Sequence, residues 1–353
     1  MAGVDHLVRT TREQADFCQA LGSPLYAALL RRCADDIDAG GPTARVLAGH
    51  EDDPGSAATP LRLLGSVHRL VLQGEAPALA AYYPSAGGQA EPDGAWLAFR
   101  DVLDQQAERL APLLGQPPQT NEVGRASALA GGLLHLVRER DLPVALHEIG
   151  SSAGLNLRAD AFWYSAADGS TAWGPPDSPV RLPGAWAGAT PPLEARLRIV
   201  SRSGSDVAPI DPTSDEGRLR LLSYVWPDQI ERFERVQHAI EVARRIPATV
   251  EACDAATAVR RLEPVRGQWT VLWHSVMWQY LASDDQAAIT QHIESVGATA
   301  TAAAPLAHLS LEPRRREPDE EPTFLVALQT WPGGAQRILG TGAAHGIPTT
   351  WEL

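Results

Sequence analysis

Pro143-Val144-Ala145-Leu146-His147-Glu148-Ile149-Gly150-Ser151-Ser152-Ala153-Gly154-Leu155-Asn156-Leu157-Arg158 decides the fold. A short, mostly apolar run ends in an acid, breaks into a turn with two glycines and resumes with Leu155-Asn156-Leu157-Arg158. The pattern predicts a strand, a tight turn and a helix, which is the opening of an α/β unit.

Upstream of this stretch the sequence predicts only helices. Leu25, Leu29 and Leu30 share a helical face, as do Leu61, Leu64, Val67, His68 and Val71, and then Leu97, Phe99, Val102 and Leu103. Pro/Gly-rich joints at 38–42, 84–94 and 115–118 separate them. Downstream, strands are expected at 196–200, running on to Gly204-Ser205-Asp206, and at 248–254, 270–274, 309–312 and 324–328. The tail from Gln336 to Trp351 offers a seventh. Pro227 is placed to open an amphipathic helix with Ile230, Phe233, Val236 and Ile240 on its apolar face. Residues 163–195, rich in Trp, Gly and Pro, read as an inserted loop or hairpin. The expected division is a helical region over 1–141 and an α/β domain over 142–353.

Composition removes several function classes. All 30 basic residues are Arg, so Schiff-base, pyridoxal-anchoring and P-loop lysines have no residue to supply them. A net charge of -13 without a compensating Arg stripe argues against nucleic acid. Three cysteines without a C-x-x-C build no disulfide framework. No apolar run reaches the roughly 18 residues of a membrane span, and the opening residues carry no signal-like apolar core. A cytoplasmic protein acting on a small molecule is the expectation.

Three readings compete for the glycine turn. A dinucleotide site lacks its G-x-G-x-x-G. A serine-hydrolase elbow has the letters G-x-S-x-G with Ser152 at the centre and His345 in the right chain order, but it needs strands before the elbow. S-adenosylmethionine binding fits the wider order: an acid-ended strand, a small-residue turn where backbone meets cofactor, then Asp206 and Asp254 closing the next two strands as acceptors for ribose hydroxyls and an adenine amine. Singly, either Asp reads equally well as a turn or helix-cap acid.

Four ordered segments also carry a resemblance: Gln119-Thr120-Asn121-Glu122-Val123-Gly124-Arg125, Glu148 through Leu157, Gly204-Ser205-Asp206-Val207-Ala208-Pro209, and Val225-Trp226-Pro227-Asp228-Gln229. They resemble the successive signatures of a bacterial family catalogued as a domain of unknown function, DUF2332. The resemblance implies a Rossmann-like class I methyltransferase sheet with a helical N-terminal cap region.

The expected cofactor is S-adenosyl-L-methionine, held by Arg125, Glu148, Gly150, Ser152, Gly154, Asn156, Asp206, Asp254 and Ser275. Arg125 would pair with the methionyl carboxylate; Asp211 is the alternative to Asp206 on the ribose. His274 is the candidate general base and Tyr280 a second catalytic candidate, either packing or lying against the sulfonium. Some 50 residues between Gly154 and Asp206 require the 163–195 insertion to be accommodated over the site. His147 and Glu148 point to opposite faces of their strand, so no shared metal site is expected. The expected reaction is methylation of a small metabolite; transfer or cyclisation of the aminocarboxypropyl arm, hydrolysis at Ser152, and a non-catalytic binding module stay open beside it.

Overall fold

In a computed structural model of the chain, residues 2–317 and 319–353 are described. They form a mixed α/β protein with a helical N-terminal region and an eleven-stranded mixed sheet. Contacts divide the chain into two units: Met1–Thr120 with Asp215–Gln237, and Asn121–Ser214 with His238–Leu353.

The first unit is helical. It contains α1 (Ala2–Ala20), α2 (Pro24–Asp38), α3 (Pro42–Val46), α4 (Thr59–Leu72), α5 (Pro77–Ala80), α6 (Pro92–Gln105) and α7 (Ala107–Leu114), and from the later segment α9 (Asp215–Ser223). The core holds Leu25, Leu29 and Leu30 of α2 and Leu64, Val67 and Val71 of α4. One expected core residue faces water: Leu97 is 67% exposed, while Phe99, Val102 and Leu103 are buried. A separation of two residues turns about 200° around a helix, so Leu97 and Phe99 cannot share a face. Asp228 accepts from the Ser23 hydroxyl (2.6 Å) and the Leu25 amide (3.0 Å), fastening the start of α2.

The second unit carries the sheet. Its elements are α8 (Ala126–Glu139), β1 (Val144–Ile149), β2 (Trp163–Ala166), β3 (Ala172–Trp173), β4 (Arg181–Gly188), β5 (Ile199–Asp206), β6 (Thr249–Ala252), α11 (Ala255–Val259), β7 (Trp269–Ser275), α12 (Ser283–Thr299), β8 (Leu306–Arg314), β9 (Thr323–Trp331), β10 (Gln336–Gly342) and β11 (Thr349–Trp351). The unit division falls inside α10 (Ile230–Arg245), which begins three residues after Pro227 rather than at it. The sheet order is β3-β2-β4-β11-β10-β9-β8-β7-β1-β5-β6. Neighbours from β6 through β5, β1 and β7 to β8 are parallel, and β9 and β10 return as an antiparallel hairpin. All seven residues of β7 are buried, as a strand covered on both faces must be. Helix α8 lies against Trp351 and Leu309: a Cβ on Gly131 would meet the Trp351 ring, and one on Gly132 the Leu309 side chain.

Three features depart from the sequence expectation. The 163–195 segment, expected as an inserted loop or hairpin, adds three strands to the sheet. Its strands β4, β2 and β3 extend the sheet beyond β11, in the sixth, seventh and eighth places from β1. The turn leads into a 3₁₀ segment, Leu155–Ala161, instead of an α-helix; Arg158 leaves helical geometry (φ -107°, ψ 23°) as its guanidinium folds back on the Gly154 carbonyl. Finally, α8 and the 121–125 segment belong with the sheet, and 215–237 with the helices, so the division differs from a cut at 141/142.

His68, fully buried on α4, supplies a pH test. Its Nδ1 lies 3.1 Å from the Ser223 carbonyl and Nε2 2.7 Å from the Ser85 hydroxyl, so Nδ1–H donates and Nε2 accepts. Burial pushes its pKa from 6.5 down to about 4. Unfolded chain therefore binds a proton that folded chain refuses. Stability present above pH 6.5 declines as the pH falls from 6.5 to 4, by up to about 3 kcal/mol. Urea denaturation near pH 7 and near pH 4 should show a loss, and His68→Gln should make that loss smaller than in the wild-type chain.

Candidate functional site

The parallel strands carry their polar groups where they end. Glu148 is the penultimate residue of β1, Asp206 closes β5 and Ser275 closes β7, and the glycine turn rises from β1 between the two neighbours. Gly150 and Gly154 both sit at φ +64°, and Ser152 at φ +53°, where a side chain is uncommon. A Cβ on Gly150 would meet Met277 at 2.9 Å, and one on Gly154 would meet Val250 at 2.8 Å and Leu157 at 2.9 Å. The glycines thus serve backbone geometry and close packing against protein side chains.

Most amides of the turn are already bound. Ser151 N donates to the Ser205 carbonyl (3.0 Å), Ser152 N to Asp206 Oδ2 (2.8 Å) and Leu155 N to Asn121 Oδ1 (2.7 Å). Asp206 Oδ1 accepts from Ala208 N (2.9 Å). Each Asp206 oxygen thus uses one of its roughly two lone-pair sites here, which leaves capacity for further donors. Asn156, 1% exposed, donates to the Glu122 carbonyl (3.1 Å), but its Oδ1 has no partner. Arg125 spans two carbonyls, donating from Nε to Ala344 (3.1 Å) and from Nη1 to Ser275 (3.3 Å). The guanidinium expected on a ligand carboxylate thereby joins the end of β7 to the 344–346 loop.

Glu148 is the most perturbed group of the site. It is 4% exposed; Oε1 accepts from the Trp273 indole (3.1 Å) and Oε2 has no partner. Burial raises its pKa to about 8, against the Trp273 hydrogen bond and the charges of Arg158 and Arg125, with Asp206 adding to the rise. Near neutral pH this is predominantly a protonated acid. A cavity of about 200 Å³ borders the same strand ends, with His147, Glu148, Ser203 and Ser205 in its wall. The Ser205 hydroxyl is also buried without a partner.

The other expected site residues lie elsewhere in their bonding. Asp254 is exposed and caps α11, accepting from Thr257 N at 2.7 Å, and that bond holds its pKa below the usual carboxylate value. Asp211 is exposed and closes a turn on Thr213. Tyr280 is 70% exposed, on a short 3₁₀ turn. Ser275 is buried. His274 differs most from expectation: it is fully buried, with Nδ1 2.7 Å from Glu312 Oε1 and Nε2 2.9 Å from His308 Nε2, so neither nitrogen is offered to an acceptor at the glycine turn. The sequence reading gave no role to His308, counted Glu312 only as a strand-end acid and placed Arg314 in a solvated loop at 313–321, whereas β8 runs on to Arg314. The signal was the alternation His308, Ser310, Glu312, Arg314 along β8, which places four polar residues on one face. No group of three metal-ligating side chains occurs among the described residues.

The fold and site define a mixed α/β protein whose polar groups converge at the carboxyl ends of a parallel sheet. The chain belongs to the family described as "Uncharacterized protein conserved in bacteria (DUF2332)", whose model matches residues 8–351. No curated protein and no solved structure matches it. No helix among the described residues is long and apolar enough to cross a membrane.

Two outcomes test this geometry. Gly150→Val and Gly154→Val should lower the melting temperature sharply, because the branched side chain meets Met277 or Val250 in a left-handed backbone. Glu148→Gln should act through pH. A folded pKa of about 8 against 4.5 means that the carboxyl's contribution is full below pH 4.5 and is lost as the pH rises through 8. The variant should therefore gain stability over wild type at pH 9 relative to pH 6, measured by thermal unfolding.

Proposed function

We propose that the chain is an S-adenosylmethionine-dependent transferase that methylates a small metabolite. The observation that carries the reading is Glu148: a buried carboxyl, with one oxygen unpartnered, at the end of the first parallel strand and beside a glycine turn. A cation brought to that oxygen would ionise Glu148 and recover the cost of its burial. The cofactor carries a sulfonium and an ammonium, so its charge fits the donor set.

Strand order supports the same reading. Numbered in chain order, the parallel strands run 3-2-1-4-5, the order of doubly wound nucleotide-binding sheets, and the glycine turn stands beside the switch point between β1 and β7 where such sheets bind ligands. The antiparallel β9 in the sixth place departs from an all-parallel sheet. Asp206 keeps lone pairs for ribose hydroxyls while holding Ser152 N, and Arg125 stabilises the turn's surroundings through two carbonyls. When bound, the cofactor supplies an activated methyl group, so the chain's own residues need chiefly to bind, orient and exclude water.

One observation favours a second reading. Ser152 stands at positive φ in the middle of G-x-S-x-G, the backbone geometry of a hydrolase elbow. Against it, β1 is the first strand among the described residues, so no sheet precedes the elbow. Labelling of Ser152 by a fluorophosphonate would establish the hydrolase.

The decisive experiment is a thermal shift with S-adenosylhomocysteine. A ligand at about a hundred times its Kd should stabilise the protein by about 2.7 kcal/mol. No shift at millimolar ligand would overturn the reading. Asp206→Ala should weaken adenosine-containing ligands by roughly 1.5–3 kcal/mol. With Arg125 bound to two carbonyls, Arg125→Lys should weaken adenosine and S-adenosylhomocysteine alike; selective loss of the latter would restore a direct contact with its carboxylate.

A further inference from the structure

We propose that the face of β8 opposite α8 carries a second small-molecule site, in which Arg314 and His308 hold a compact hydroxycarboxylate. A cavity of about 250 Å³ opens there, with Trp278, His308, Arg314, Gln329 and Glu294 in its wall. This space is separate from the glycine turn, and neither the family description nor the proposed transferase reaction assigns it.

Arg314 supplies the first half of the argument. It is partly buried, no carboxylate among the described residues lies within salt-bridge distance of it, and among those residues it makes one long hydrogen bond, from Nη2 to the Ser310 hydroxyl (3.4 Å). Partial withdrawal of a guanidinium from water is costly, and burial holds its pKa below the ordinary arginine value despite the pull of Glu312. The planar fork matches a carboxylate and would recover that cost. Glu294, the acidic group of the wall, is exposed and already accepts from Gln329 Nε2 (2.8 Å).

His308 supplies the second half. Glu312 Oε1 collects three donors: His274 Nδ1 at 2.7 Å, Met277 N at 3.1 Å and Trp278 N at 3.3 Å. That fixes the proton of His274 on Nδ1 and leaves its Nε2 an acceptor, which takes Nε2–H of His308 at 2.9 Å. The remaining nitrogen of His308, Nδ1, is then an acceptor. Burial, with the charge of Arg314 adding to it, keeps His308 neutral by holding its pKa well below 6.5. Stacking of Trp278 on His274, 5.0 Å between centroids at 22°, packs the chain of three residues against movement. The site therefore offers a fork for a carboxylate and a lone pair for a neighbouring hydroxyl.

The test is a titration of the full chain with L-malate, acetate and inorganic phosphate, read by imidazole 1H-15N NMR. Malate should move the His308 and His274 resonances saturably; acetate should do so more weakly. Arg314→Gln should weaken malate by about tenfold or more, and so should His308→Gln, which keeps the site if the arginine variant fails to fold. Absence of any His308 shift at tens of millimolar malate in the wild-type protein would overturn the proposal. So would equal shifts by phosphate and malate, which would mean unselective attraction to a positive charge.

Discussion

A parallel sheet covered on both faces has no water to offer a polar group, so charge is placed at the strand ends or is paired within the layer. That constraint organises the second unit. Seven buried residues in β7 leave His274 and Ser275 as its closing polar pair, and β1 spends its last positions on Glu148. Where polar residues lie within the layer they meet in pairs across strands: His147 Nδ1 with the Ser203 hydroxyl at 2.7 Å, and His274 with Glu312. The helical unit obeys the same rule at His68, held by Ser223 and Ser85.

Satisfied and unsatisfied groups therefore carry different information. His274 has both nitrogens bonded and is the least available imidazole of the sheet. Glu148 is buried with one oxygen unpartnered and its carboxyl held protonated, and Arg314 is a partly buried guanidinium with no carboxylate among the described residues at salt-bridge distance. A fold bears such costs where a ligand's binding recovers them, and their opposite chemistry assigns a cation to the first and an anion to the second.

The strands were legible because each is a short apolar run with a sharp end, and the helical faces because their leucines recur at three and four. The strands expected at 196–206 and 270–274 are found at Ile199–Asp206 and Trp269–Ser275, and Asp206 does stand at a strand end against the turn. Pairing was not legible. Nothing local in Trp163-Tyr164-Ser165-Ala166 says that the strand belongs beyond β11, since that position depends on partners 181–188 and 349–351. His274 failed for the same reason: its polarity at a strand end was visible, but the Glu312 that claims it lies 38 residues on. Leu97 was a different failure, because a leucine two places from a core residue looks like part of its face, while Asp254 caps α11, the alternative its sequence position already offered.

The two strand-end clusters meet at one short segment. Val276, a β-branched residue at φ +52°, turns the chain out of β7 so that the Met277 side chain fills the space over Gly150 while its amide donates to Glu312. Trp278 follows with a second amide on the same oxygen and its ring on His274. Moving Met277 away from the glycine turn would withdraw a donor from Glu312, and with it part of what orients His274 and His308. A left-handed valine is held only where its surroundings over-determine it, and here the surroundings are the turn on one side and the carboxylate on the other.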